Sequence, residues 1–220
     1  MFFFKRKPKK TLYELGAEAA AKNDMATAYS YFLQDAEKNF TPKSEFLVGF
    51  LHLNGVGAEK DEREAYRWFT RAADHGYAEA LYRLGEMHSA GLGCSRNPQT
   101  AFKFYVAAAE LGDMNAQFQL GIIYKTGKGV KKDYYQSVQY LRAAAEQGHI
   151  KAQYTMGIMC AAGKGTPKDD RAAAEWYRKA AEQGYGIAQY NLGYMYQSGR
   201  GVPQDFKEAV YWFNKANSSI

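Results

Sequence analysis

Residues 78–111 read AEALYRLGEMHSAGLGCSRNPQTAFKFYVAAAEL, and this stretch decides the fold. In its first half Ala80, Leu81, Leu84, Gly85 and His88 recur at spacings of three and four, which is the period of one helix face. In its second half Ala101, Phe104, Tyr105 and Ala108 do the same. Between the runs, Gly91 and Gly93 stop the first helix because glycine takes a positive φ at little cost, and Asn97 is placed to cap the second. Gly112 ends it. The stretch predicts a helix hairpin.

The same pattern recurs on both sides of Gly85. Gly49, Gly85, Gly121, Gly157 and Gly193 stand 36 residues apart without a slip. Counted from these glycines, position +6 is Gly55, Gly91, Gly127, Gly163 and Gly199, and position +8 is Gly57, Gly93, Gly129, Gly165 and Gly201. Position +12 is Asn97 in one copy and Asp61, Asp133, Asp169 and Asp205 in the others. Aromatic or near-aromatic pairs fill +19 and +20: Trp68-Phe69, Phe104-Tyr105, Tyr140-Leu141, Trp176-Tyr177 and Trp212-Phe213. A period of this length is one supersecondary unit stacked on copies of itself.

Ordering a unit of this size costs roughly 50 kcal/mol at about 1.5 kcal/mol per residue, more than its few large side chains recover alone, so stacking must supply the burial. Small residues at 0, +16 and +23 let paired helices approach, and the rings at +19 and +20 fill the wedge between units. The expected fold class is all-α: an α/α solenoid, a right-handed superhelix of helix hairpins with a 36-residue period. Three segments follow: a basic tail over 1–10, a shorter hairpin over 11–40 that matches tetratricopeptide spacing, and five repeats over 44–220, the last lacking its end.

The formal net charge is +6, but Lys5, Arg6, Lys7, Lys9 and Lys10 carry most of it, and residues 11–220 hold 24 basic against 23 acidic side chains. A nearly neutral array argues against a nucleic-acid groove, which needs clustered cations. Phe2, Phe3 and Phe4 ahead of the basic run are too few for a signal peptide or a membrane span, so the chain reads as cytoplasmic; the tail could still press onto anionic lipid. Cys94 and Cys160 fall in different registers and suggest no disulfide.

AEALYRLGEMHSAGLG, AQFQLGIIYKTGKGV, AQYTMGIMCAAGKG and AQYNLGYMYQSGRGVPQDFKEAVYWFNKA together resemble the Sel1-like repeat family, a relative of tetratricopeptide repeats, over about residues 44–217. Departures are local: Ser44-Glu45 stands for Ala-Gln in the first copy, and Ser137 and Tyr140-Leu141 break the third. The resemblance implies a non-enzymatic adaptor that holds proteins together, in bacteria often in signalling, envelope or host-contact pathways.

In each first helix, −5, −4, −1, 0 and +3 form the stripe toward the second helix, leaving −6, −3, +1, +4 and +5 on the inward-curving side. A solvated face should be polar. Instead −3 is Phe46, Tyr82, Phe118, Tyr154 and Tyr190, and +1 is Phe50, Glu86, Ile122, Ile158 and Tyr194. Two readings of −3 stay open: packing against the adjacent unit, or aromatic rungs of a concave groove for an extended or helical peptide, with Glu86, Lys125, Asn54 and Gln197 selecting polar groups. Position +1 varies more and is the better candidate for specificity. Val210, Trp212 and Phe213 in the last helix are candidates for a second contact, including a homodimer seam.

Other chemistry finds little support. Gly-x-Gly follows a helix in every copy and lacks the strand of a phosphate loop. Lys125-Thr126-Gly127 is not accompanied by Ser-x-x-Lys or Ser-Asp-Asn, so serine hydrolase chemistry is not indicated. His52, His88 and Cys160 share position +3 but sit a repeat or more apart, beyond the reach of one metal. His75 and His149 flank glycines that end second helices and suit those C-termini when protonated. No catalytic residue, cofactor or metal is expected. The leading expectation is an interaction scaffold binding protein or peptide in its groove; the alternatives are an immunity protein that neutralises a toxin or effector, and a membrane-surface adaptor acting through the tail.

Overall fold

The computed structural model describes residues 10–218, so the expectations about Phe2, Phe3, Phe4 and the basic run up to Lys9 lie outside the described residues. Twelve α-helices and no strand occur among the described residues, and the chain divides into two compact units, Met1–Leu111 and Gly112–Ile220. The first unit holds three hairpins: α1 (Leu12–Ala21) with α2 (Met25–Lys38), α3 (Pro42–Asn54) with α4 (Glu62–Asp74), and α5 (Ala78–Ala90) with α6 (Pro98–Glu110). The second unit also holds three: α7 (Met114–Thr126) with α8 (Tyr134–Glu146), α9 (Ile150–Ala162) with α10 (Asp170–Glu182), and α11 (Gly186–Ser198) with α12 (Phe206–Asn217).

The helix boundaries follow the caps read from sequence. Asp61, Asn97, Asp133, Asp169 and Asp205 each accept backbone N–H groups from the first turn of the helix they precede. Each first helix of a repeat ends on a left-handed glycine at +6. In α1, Thr11 and Glu14 form a reciprocal capping box.

Inside a hairpin the glycine at position 0 sets the interhelix distance. A Cβ on Gly157 would come within 2.5 Å of Tyr177 Cε1, and one on Gly85 within 2.5 Å of Tyr105 Cε1, so the second-helix ring lies directly on the first-helix backbone. Small buried residues at −5, 0, +16 and +23 keep this approach close in every copy. Position +2 is buried more often than +3: Leu51, Met87, Met159 and Met195 are buried at +2 and Ile123 half-buried, whereas at +3 Cys160 is buried and His52, His88, Tyr124 and Tyr196 are half-buried.

Between hairpins the seams are partly polar. Buried Gln153 and Gln189 donate to the carbonyls of Ala145 and Ala181 in the preceding hairpin, and within their own hairpins Gln117 and Gln153 accept Gln147 at 2.8 Å and Gln183 at 2.7 Å. The first repeat replaces this amide pair by Glu45 and His75. The buried amides of Gln153 and Gln189, satisfied in this way, fix one register between neighbours.

Asp35, nearly fully buried in α2, accepts Ser44 Oγ at 2.5 Å and Asn39 Nδ2 at 2.6 Å, joining the N-terminal hairpin to α3. Burial pushes its carboxyl up, and hydrogen bonds from Ser44, Asn39 and Thr41 together hold it below the ordinary aspartate value. A group depressed in the folded state contributes stability above its unfolded value and loses it as pH falls through the folded one. The advantage of wild type over Asp35→Asn in urea unfolding is therefore expected to be full at neutral pH and to shrink as pH drops below the aspartate range; a constant difference down to the acid limit contradicts this role.

Candidate functional site

The candidate face begins with the aromatic residues at −3. Phe46 and Tyr82 are only 6% and 8% exposed, which corrects their expected place on an open groove. In the repeats with a ring at +20 the −3 ring meets it, as in Phe46–Phe69 (5.5 Å), Tyr82–Tyr105 (5.9 Å) and Tyr154–Tyr177 (5.8 Å); the third repeat has Leu141 there. The first residue after the next glycine turn then covers it: Tyr77 over Phe46 at 5.1 Å, His149 over Phe118 at 4.4 Å, Tyr185 over Tyr154 at 5.2 Å. Position −3 is thus seam packing in these copies, and the exception is Tyr190, 58% exposed, which meets only its own Phe213 at 5.3 Å among the recorded ring contacts.

Position +1 lies nearer the surface. Phe50 and Tyr194 are exposed, and Ile122 and Ile158 are half-buried against the core of the second unit. Glu86 is engaged internally: it accepts Tyr82 Oη and Arg83 Nη1, each at 2.8 Å, and Arg83 also lies 6.0 Å from the Phe50 ring. Lys125 is half-buried; Asn54 donates to the Phe50 carbonyl at 2.7 Å, and the exposed Gln197 accepts Gln204 through its carbonyl. In α11, Ile187, Tyr190 and Tyr194 follow one another along a face and are all more than half exposed, with Tyr194 at 53%.

In α12 the expected contact needs correction. Trp212 is buried in the core of the second unit, its indole N–H donating to Glu208, so it cannot meet a partner; Phe213 is half-buried under Tyr190. Val210 is exposed, and Phe206 and Tyr211 join it. These two lie at +13 and +18, where the copies differ widely in residue type, and that variability was the available signal.

Beside Tyr194 a cavity of about 190 Å³ opens between α9, α10 and α11, lined by Ala161, Tyr177, Asn191, Tyr194, Met195 and Arg200. Arg200 Nη2 donates to Asp170 Oδ1 at 2.6 Å. The histidines serve packing. His52 bonds Tyr29 Oη (3.1 Å) and the Glu59 carbonyl, and His88 sits between Tyr66 Oη (3.2 Å) and Cys94 Sγ (3.6 Å). His149 departs from expectation: it is the N-cap of α9, Nδ1 accepting Ala152 N–H, and burial lowers its affinity for a proton. Cys94 and Cys160 are free thiols, each pushed up by burial. Among the described residues no group of three or more His, Cys, Asp or Glu is placed to hold a metal, and no helix is long and apolar enough to cross a membrane.

Hairpins repeated at fixed period, with glycine at each close approach and a polar seam between neighbours, define an α/α repeat protein. The chain belongs to the Sel1 repeat family, whose pattern matches residues 42–77, 78–113, 115–149, 150–185 and 186–219. Proteins of this family mediate protein–protein interaction and are generally non-enzymatic. A Sel1 repeat protein from Oxalobacter formigenes is similar in structure, at TM-score 0.83 and 31% identity, over 96% of this chain and 83% of that one. The protective antigen c5321 of uropathogenic Escherichia coli is similar at TM-score 0.86 and 31% identity over 94% of this chain, which spans only 45% of that protein's structure. Among curated proteins, the chitin synthase regulator SKT5 of Saccharomyces cerevisiae is 31% identical over 72 residues, a third of this chain and a tenth of SKT5.

Proposed function

We propose that this chain is a non-enzymatic binding module that captures a protein or peptide on the first-helix face of its second unit, centred on Tyr190 and Tyr194 and extending to Ile158 and Ile122. One observation carries the reading. Tyr190 occupies a position that neighbouring copies cover, yet it stands 58% exposed beside an equally open Tyr194. Two tyrosines one helical turn apart offer broad apolar area with hydroxyls at the rim, the composition that dominates binding hot spots.

The test is capture from lysate of the native cell by immobilised wild type and by Tyr190→Ser/Tyr194→Ser, with bound proteins read by mass spectrometry. Loss of two anchors of this kind is expected to weaken a specific partner by about thirtyfold or more while helical circular dichroism stays the same. A partner held equally by both chains removes this face from consideration. Several partners point to an adaptor, one equimolar protein to a neutraliser of a toxin or effector, and recovery of the chain itself to self-association through Phe206, Val210 and Tyr211.

A further inference from the structure

We propose that the cavity beside Tyr194 is an acceptor site for a carboxylate carried by the bound polypeptide, either an Asp or Glu side chain or a chain terminus. The proposal deepens the binding reading above and rests on it for its biological meaning, though not for its test. Three features support the assignment.

Size comes first. About 190 Å³ is ample for a carboxyl group with its methylenes, so size admits the group and the lining must select it. The lining comes next. Arg200 brings a permanent cation with planar N–H donors, while the Asn191 amide is engaged on the Tyr177 and Tyr154 hydroxyl oxygens and holds those phenols in place. Tyr177 is only 6% exposed, and burial pushes its phenol up to about 12, so it keeps its proton and remains a donor at neutral pH. The Arg200 guanidinium is held by Asp170 through Nη2. A guanidinium engaged on one nitrogen keeps further donors for a second, planar monoanion.

The third feature is a comparison within the chain. In the second repeat the corresponding face already holds a carboxylate: Glu86 at +1 accepts Tyr82 Oη at −3 and Arg83 Nη1 at −2, both at 2.8 Å. In the fifth repeat those registers carry Tyr194, Tyr190 and Asn191, and the cation has moved to +7 as Arg200. The second repeat fills its acceptor from its own sequence. The fifth has no acid at +1, and its Arg200 meets a carboxylate, that of Asp170, through one nitrogen alone, beside a cavity that no side chain of the repeat fills.

The experiment titrates the whole chain with N-acetylglutamate α-amide, which has a side-chain carboxylate, with N-acetylglycine, which has a terminal one, and with neutral N-acetylglutaminamide, following ¹⁵N–¹H shifts of Asn191, Met195 and Arg200. Saturable shifts with either acid and none with the amide are expected, and the stronger acid identifies the source. Arg200→Gln should weaken the acid about tenfold or more. Asp170→Asn, which releases the guanidinium, should tighten it severalfold, a gain that general loosening of the loop would not produce. Equal shifts from the amide, no saturation at tens of millimolar, or an Asp170→Asn variant that binds more weakly overturns the assignment. Because no partner is present, failure here leaves the capture experiment to stand or fall separately.

Discussion

Gly165→Ala is expected to destabilise the chain by about 3–5 kcal/mol, whereas Gly184→Ala costs only about 1–2 kcal/mol. Both glycines are left-handed, with φ of 73° and 85°, so each substitution bears the strain of a side chain in that region. They differ in surroundings. A Cβ on Gly184 meets nothing within 4 Å, while one on Gly165 would overlap the carbonyl oxygen and carbon of Tyr134 and approach Val138 Cγ2 at 3.0 Å. The obstructing atoms are backbone at the start of α8 and cannot rotate away, so the turn after α9 must lift off its neighbour. Gly57 on Met25, Gly93 on Glu62 and Gly201 on Asp170 repeat the arrangement. Chemical denaturation of the two variants separates intrinsic φ strain from the seat between hairpins. Equal losses would mean that the seat carries no weight.

The same glycine shows what the sequence disclosed and what it withheld. The period, the hairpin and the caps were legible because each depends on residue types at fixed offsets: glycine where φ is positive, Asp or Asn one residue before a helix, alanine where helices touch. Residues 11–40 hold α1 and α2, with Thr11 and Asp24 as their caps. The faces were harder to assign. A helical wheel divides a helix into one buried side and one open side, but a first helix in this array touches its own second helix and the hairpins on either side. Position −3 therefore looked open by its angle, while Tyr77, His149 and Tyr185 arrive from the next turn to cover it. Position +2 was missed for the same reason. The cavity at Arg200 was illegible because its lining comes from three helices and a loop, and no one-helix pattern joins Tyr177 to Asn191 and Arg200.

Removing the cation that faces the buried carboxylate of the first repeat is the second large effect. Glu45 has no exposed side-chain surface, and its two oxygens face Arg71 Nη2 at 3.1 Å and His75 Nδ1 at 2.7 Å. Arg71 is positioned for this role from several sides, with its guanidinium 4.3 Å from the Trp68 ring and reaching the Ala36 carbonyl. Arg71→Met keeps the aliphatic stem and leaves the carboxylate buried with His75 alone, an expected loss of about 3 kcal/mol. Glu45→Gln with His75→Gln rebuilds the amide pair that Gln117–Gln147 and Gln153–Gln183 form in the third and fourth repeats, and should stay within about 1 kcal/mol of wild type. In that neutral background Arg71→Met should cost only its contact with Trp68, about 1 kcal/mol. The difference between the two costs, read from urea unfolding of the four chains, is the coupling between Arg71 and the buried charge. If Arg71→Met costs the same in both backgrounds, the ion pair contributes nothing, and the departure from glutamine at Glu45 has no electrostatic consequence.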